Sequence, residues 1–171
     1  MWETIAAAAA AESPLWAEAL LPDAEQVREP VFSRLMPAEH ALGLETIYEG
    51  YLVHYGHSRL FSPPDPDAAL LLGDYLYAHG LVRVAETGDV AAVADLAELI
   101  SLCSQARAEG RNGDGPAWAA TAASLGAGDL GAAREALRVG RDAGPLEDAA
   151  RSSAGDRAVD GALAAHARLV G

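Results

Sequence analysis

Alanine occupies 39 of the 171 positions, while aromatic residues make up only 6%. Alanine loses no side-chain entropy in a helix and packs poorly on a pleated surface, so a chain this rich in it is driven toward helices. No segment reads as a strand of five or more alternating residues. The expected fold is all-α: a single bundle of about five to seven helices joined by short loops. The length suits one domain, or at most two small ones, and with 51% apolar residues the chain can bury a sizeable core.

Charge narrows the function. The net charge is −13 and the isoelectric point near 4.6, so a phosphate backbone or an anionic membrane surface would be repelled. No nucleic-acid partner and no membrane insertion are expected. All twelve basic residues are arginine. Without lysine there is no Schiff base, no P-loop lysine and no Ser-Lys dyad. The single cysteine, Cys103, rules out an internal disulfide framework and an ordinary cysteine zinc site. No charge-free run reaches about 18 apolar residues, the length of a membrane span. The alanine run 6–11 lacks a basic lead and is followed by Glu12 and Glu18, so it reads as a helix or frayed arm rather than a signal segment. The expected compartment is the cytoplasm.

Glycine and proline punctuate the chain. Residues 1–37 contain Pro14, Pro22, Pro30 and Pro37 and read as an N-terminal arm of short helices and links, with Ser13-Pro14 opening a helix over 14–21. Residues 38–171 read as the bundle domain. Leu44, Ile47, Tyr48, Tyr51 and Tyr55 form a helical stripe within 38–57. The run Ser62-Pro63-Pro64-Asp65-Pro66-Asp67 is a stiff linker. Residues 67–87 are apolar nearly all round, which predicts a central, buried helix ended by Gly88, with Asp89 capping the next helix, 90–108. Further helices are expected at about 116–125, 130–142 and 156–169, separated by Gly126-Ala127-Gly128, Gly144-Pro145 and Gly155. The pair Gly-Asp recurs at 88–89, 128–129 and 155–156 as helix stop followed by helix start.

Several segments, in order, resemble the trans-isoprenyl (polyprenyl) diphosphate synthases. Leu72-Gly73-Asp74-Tyr75-Leu76-Tyr77-Ala78, continuing through Gly88-Asp89 and Leu96-Ala97-Glu98-Leu99-Ile100, is similar to that family's central helix, turn and following helix. Ala41 to Ile47 and Tyr51-Leu52-Val53-His54 resemble the helix that precedes its first aspartate-rich motif. Ser33-Arg34-Leu35-Met36-Pro37 is a faint echo of its basic segment, and Ala117 to Gly126 and Leu137 to Gly144 are similar to its later helices. The resemblance covers about 110 residues and implies a helical bundle.

The departures decide what the resemblance implies about activity. That family ionises an allylic diphosphate held by Mg²⁺, and hard cations need several carboxylate oxygens. Where the first aspartate cluster should follow His54 stands Tyr55-Gly56-His57-Ser58-Arg59. Where the second should fall stands Gly144-Pro145-Leu146-Glu147-Asp148, Thr121 is displaced, and the chain is roughly half the family's length. Only Arg34 and Arg59 remain to contact a diphosphate. The expectation is a pseudoenzyme: no catalytic residue, no metal, no cofactor, and no isoprenoid synthesis, with room left for an apolar or isoprenoid ligand. Small non-catalytic subunits that dock on a catalytic partner are known in that family.

Other residues carry two readings each. His54 and His57 lie one turn apart and, with Asp74 and His79, would make half or more of a metal site; alternatively His54 and Tyr55 satisfy each other's polar tips, and His57 caps the helix. Asp74, inside an apolar helix, would need a buried partner such as Arg59 or His54. The five tyrosines, at 48, 51, 55, 75 and 77, either line a pocket or thicken the core. Trp2 and Trp16 on the arm pack on their own domain or on a second chain. Cys103 reads as a small core residue. The favoured function is a non-catalytic helical interaction protein, an accessory subunit of a homo- or hetero-oligomer. The alternatives are a helical-hairpin repeat scaffold, suggested by the similar helix starts at 88–92 and 128–133, and a metal-dependent enzyme using His54, His57, Asp74 and His79.

Overall fold

A computed structural model describes residues 1–127 and 129–170. The fold is all-α, 72% helical, with no strand among the described residues. Helices α1 (Trp2–Glu12) and α2 (Pro14–Glu18) lead into short 3₁₀ turns at Ser33–Leu35 and Ala38–His40. Then follow α3 (Ala41–Tyr55), α4 (Pro66–Ala85), α5 (Val90–Ala108), α6 (Asp114–Ala123), α7 (Gly131–Gly140), α8 (Gly144–Ala154) and α9 (Asp156–Val170). No described helix is long and apolar enough to cross a membrane.

The helix starts follow local chemistry. The side chains of Ser13, Asp65 and Asp89 accept from the amides of Leu15, Ala68 and Ala92 at 3.2, 2.8 and 2.9 Å, each supplying one acceptor the first turn lacks. Proline follows the cap in α2 and α4, where its missing N–H costs nothing. The same rule corrects the reading of Gly144-Pro145. It is not a break before a loop, because Pro145 lies in the first turn of α8, a helix the pattern of Gly and Pro concealed. The Gly-Asp recurrence is also less regular than expected. Asp89 caps α5 and Asp156 opens α9, but the residue before α7 is Leu130, and Gly128 lies outside the described residues.

The central helix is α3, not α4. Ten consecutive residues of α3, Gly43 to Leu52, are buried. Helix α4 keeps Leu70, Leu71 and Val82 at 55%, 58% and 54% exposure, because only its inner side meets α3. Four glycines bring these two helices together. Gly43 faces Gly80 and Gly50 faces Gly73, so that a Cβ at 50 would lie 2.8 Å from the Gly73 carbonyl oxygen, and one at 80 the same distance from that of Gly43. With no side chain between them, the two backbones run in direct contact.

The main core is built around Leu44, Ile47, Tyr48, Tyr51, Leu99 and Trp118, with Val31 and Phe32 from the N-terminal stretch inserted into it. A second cluster joins Ile5 and Ala9 of α1 to Leu60, Phe61, Leu72 and Leu76. Backbone bonds from Leu21 N–H to the Leu60 carbonyl (2.9 Å), Ser62 to Ala19 (2.7 Å) and Val27 to Arg59 (3.0 Å) strap residues 19–27 along 59–62. The arm 1–37 is thus packed on the bundle at both ends.

Candidate functional site

Three polar assemblies and two surfaces carry the chemistry of this chain. The first assembly centres on Arg59, only 1% exposed. Its Nη1 donates to Glu45 Oε2 at 2.7 Å and to the Glu29 carbonyl at 3.0 Å, and its Nε donates to Glu49 Oε2 at 2.9 Å. The remaining carboxylate oxygens take backbone donors: Glu45 Oε1 accepts from Val31 and Ser33 at 3.1 and 3.2 Å, and Glu49 Oε1 from Arg59 and Leu60 at 2.8 and 3.0 Å. The guanidinium packs between the rings of Trp2 (4.6 Å) and Tyr48 (5.0 Å). Burial works against its charge, but Glu49 and Glu45 more than offset this, and its pKa is raised. Arg59 therefore does not present itself to a diphosphate, as the sequence led us to expect. Its Nε and Nη1 are committed to joining α3 to two loops, and only Nη2 is left without a partner.

The second assembly converges on Asp114 at the start of α6. Its Oδ2 accepts from the Tyr51 hydroxyl, from Arg107 Nη2 at 2.5 Å and from His166 Nε2 at 3.3 Å. His166 Nδ1 lies 2.9 Å from the Tyr48 hydroxyl. One neutral tautomer satisfies both ends of the imidazole, with Nε2–H donating to Asp114 and Nδ1 accepting from Tyr48. Burial tends to raise the Asp114 pKa, yet hydrogen bonds from His166 and Tyr51 and the nearby charges hold it far below the ordinary carboxylate range. Burial pushes the phenols of Tyr48 and Tyr51 and the thiol of Cys103 well up. This chain of donors ties α3, α5, α6 and α9 together. Sequence reasoning missed Asp114 and His166. Asp114 stands between two glycines, a pattern that marks loops, and His166 is a lone histidine on a helix whose partners lie 52 and 118 residues away.

The third is a surface pair. His54 Nε2 meets Asp74 Oδ1 at 3.3 Å, but the Asp74 side chain is 66% exposed, so the expected buried carboxylate is a solvated one. Burial lowers the His54 pKa against the pull of Asp74. The structure does not bring the other two candidates to this pair. His57 is exposed beside Gly56, which caps α3 in its place, and His79 stacks on Tyr75 at 5.2 Å. Among the described residues no three His, Cys, Asp or Glu side chains stand close enough to hold a metal ion. Trp2 and Trp16 are both half-buried, Trp2 on Arg59 and Trp16 against Tyr75 at 4.3 Å. The tyrosines split: Tyr48, Tyr51 and Tyr55 line the core face of α3, while Tyr75 turns to Trp16.

Of the surfaces, one is the outer face of α4. Leu71, Ala78, Val82 and Ala85 recur along a single stripe of that helix and are all exposed. The other is a groove of about 560 Å³ between residues 29–34 and α9. Arg34, which is exposed, lines it together with Arg157 and Arg168. A smaller recess of about 70 Å³ shares Glu29, Val31, Ala165 and Arg168 with it and reaches Arg59. No family model matches the chain, no curated protein matches it, and no solved structure matches it.

Proposed function

We propose that this chain is a non-catalytic helical interaction protein, an accessory subunit that works through its surfaces in a homo- or hetero-oligomer, built on helices that resemble those of an isoprenyl diphosphate synthase without its metal-binding aspartates. The observation that carries this reading is the outer stripe of α4. Leu71 and Val82 are each more than half exposed on the helix whose opposite side is fused to α3 through glycines. Large aliphatics at helical spacing on an otherwise charged surface favour a partner helix. The groups best suited to acid–base work support the same reading. Glu45, Glu49, Asp114 and His166 are spent on arginines, tyrosines and backbone amides that hold helices together.

Light scattering on the purified chain tests this. A mass that is a multiple of 17.7 kDa is expected, falling to the monomer in Leu71→Glu/Val82→Glu. A monomeric parent at high concentration would refute self-association, leaving only a different partner on that face. Turnover of a prenyl diphosphate with Mg²⁺ by the pure chain would refute the non-catalytic reading altogether.

A further inference from the structure

The groove along α9 goes beyond this reading, because it has the features of a small-molecule site rather than of a protein interface. On α9, Arg157, Gly161, Ala165 and Arg168 fall at i, i+4, i+8 and i+11 and share one face. The groove is therefore cationic at both ends and floored by small side chains between them, over about 16 Å of helix. Pro30 and Val31 form the apolar wall opposite, and Arg34 lies on the same side as that wall. Its volume of about 560 Å³ falls within the range of ~300–1,000 Å³ that small ligands occupy.

Two of the three arginine charges here are unspent. Eight of the twelve arginines have a carboxylate within 4 Å. Among the described residues Arg83, Arg141, Arg157 and Arg168 do not, and two of those four line this one groove. In a chain with net charge −13, leaving two arginines unpaired in one concavity sets that concavity apart from the rest of the surface. Asp156, Arg157 and Ala158 of the first turn line it too, and none of the described hydrogen bonds uses their amides. They add the positive end of a 15-residue helix to the same spot. In the inner recess, Arg59 is part of the lining, and its buried Nη2 has no hydrogen-bond partner. Two carboxylates share the groove. Glu29 is held by Arg34 at 3.3 Å, while Asp156 lies 3.3 Å from an Arg151 that Glu147 and Asp160 share at 2.7 Å each, so its charge still counts in the groove.

Three arginines against two carboxylates leave the lining with a single excess positive charge. A monoanion balances that; a dianion does not. An arginine fork beside free helix amides matches the two oxygens of a carboxylate. The small-residue floor of Gly161, Ala162 and Ala165 offers room for a hydrocarbon body. We propose that the groove between residues 29–34 and α9 binds a small organic monocarboxylate, its carboxylate at Arg157 and the α9 N-terminus and its apolar body along the floor toward Arg168.

Calorimetric titration with octanoate, octyl phosphate and octanol tests the proposal. Octanoate is expected to bind, octyl phosphate to bind more weakly, and octanol to bind least. Arg157→Gln/Arg168→Gln should weaken octanoate at least about tenfold, and Gly161→Leu, which fills open space on the floor, should abolish binding. Arg141→Gln, unpaired but outside the groove, should leave it unchanged. All three variants alter exposed residues, and circular dichroism confirms their fold. Absence of octanoate binding, equal binding of octanol, tighter binding of octyl phosphate, or indifference to the arginine pair would each overturn the assignment. None of these outcomes touches the oligomer measurement above, so the two readings fail separately.

Discussion

Replacing Gly80 with alanine adds one methyl group where two helix backbones touch. On an open helix surface the exchange is favourable, because alanine is worth about 1 kcal/mol over glycine in a helix interior. At Gly80 the new Cβ would lie 2.8 Å from the Gly43 carbonyl oxygen and 3.0 Å from the Ile47 amide nitrogen, both backbone atoms of α3. Comfortable carbon contacts begin near about 3.5 Å. A side chain could rotate away; a helix backbone cannot. The pair α3–α4 must therefore part by roughly half an ångström. Atoms along that seam then lose about a quarter to a half of their dispersion energy. Overpacking of this kind costs about 1–3 kcal/mol, so after the helix gain of about 1 kcal/mol a net loss of up to about 2 kcal/mol is expected. Gly161→Ala is the control: it sits mid-helix in α9 with nothing within 4 Å of its would-be Cβ, and should gain up to about 1 kcal/mol. Urea denaturation followed by circular dichroism reads both. Opposite signs are the signature. If Gly80→Ala stabilises as Gly161→Ala does, the backbone contact does not exist and the reasoning is wrong. Gly50→Ala should lose stability for the same reason, and combined with Gly80→Ala it should cost less than the two losses added, because the seam has already opened.

Arg59→Met leaves Glu45 and Glu49 buried without their cation and should cost about 3–5 kcal/mol by denaturant titration; a loss below about 1 kcal/mol would mean that water reaches those carboxylates. Asp114→Asn tests the second assembly through pH. Because the folded pKa is depressed, the contribution of the carboxylate is fully present above its ordinary value of 3.8 and is lost as pH falls below it. The variant should be less stable than the parent at neutral pH and converge on it in acid, and a gap independent of pH would contradict the assignment.

What could be read from the chain, and what could not, divides along the range of the interactions involved. The all-helical fold and the starts of α2 and α5 rest on alanine content and on Ser13 and Asp89, whose partners lie two or three residues away, whereas Asp65, read as part of a stiff linker, caps α4, which opens at Pro66. The burial of α3 in place of α4 depends on which neighbours arrive, and hydropathy alone ranks the leucine-rich helix first. One signal was present and went unread. Gly43 and Gly50 on one helix, and Gly73 and Gly80 on the next, are each seven residues apart, which is two turns, and two such pairs on adjacent antiparallel helices mark a close crossing. Arg59 looked like a free cation because its two carboxylates lie 10 and 14 residues upstream on a helix whose charged positions would ordinarily face water. Nothing in the sequence sets Arg157 and Arg168 apart from an ordinary solvated helix face. What turns that face into a groove is the segment 29–34 laid beside it, from more than 120 residues earlier in the chain. No local pattern encodes that juxtaposition. It follows from Val31 and Phe32 entering the core beside α9, so the groove exists only because the arm is anchored. A variant that released the arm, such as Phe32→Ala, would therefore take the groove with it while leaving the arginines of α9 in place.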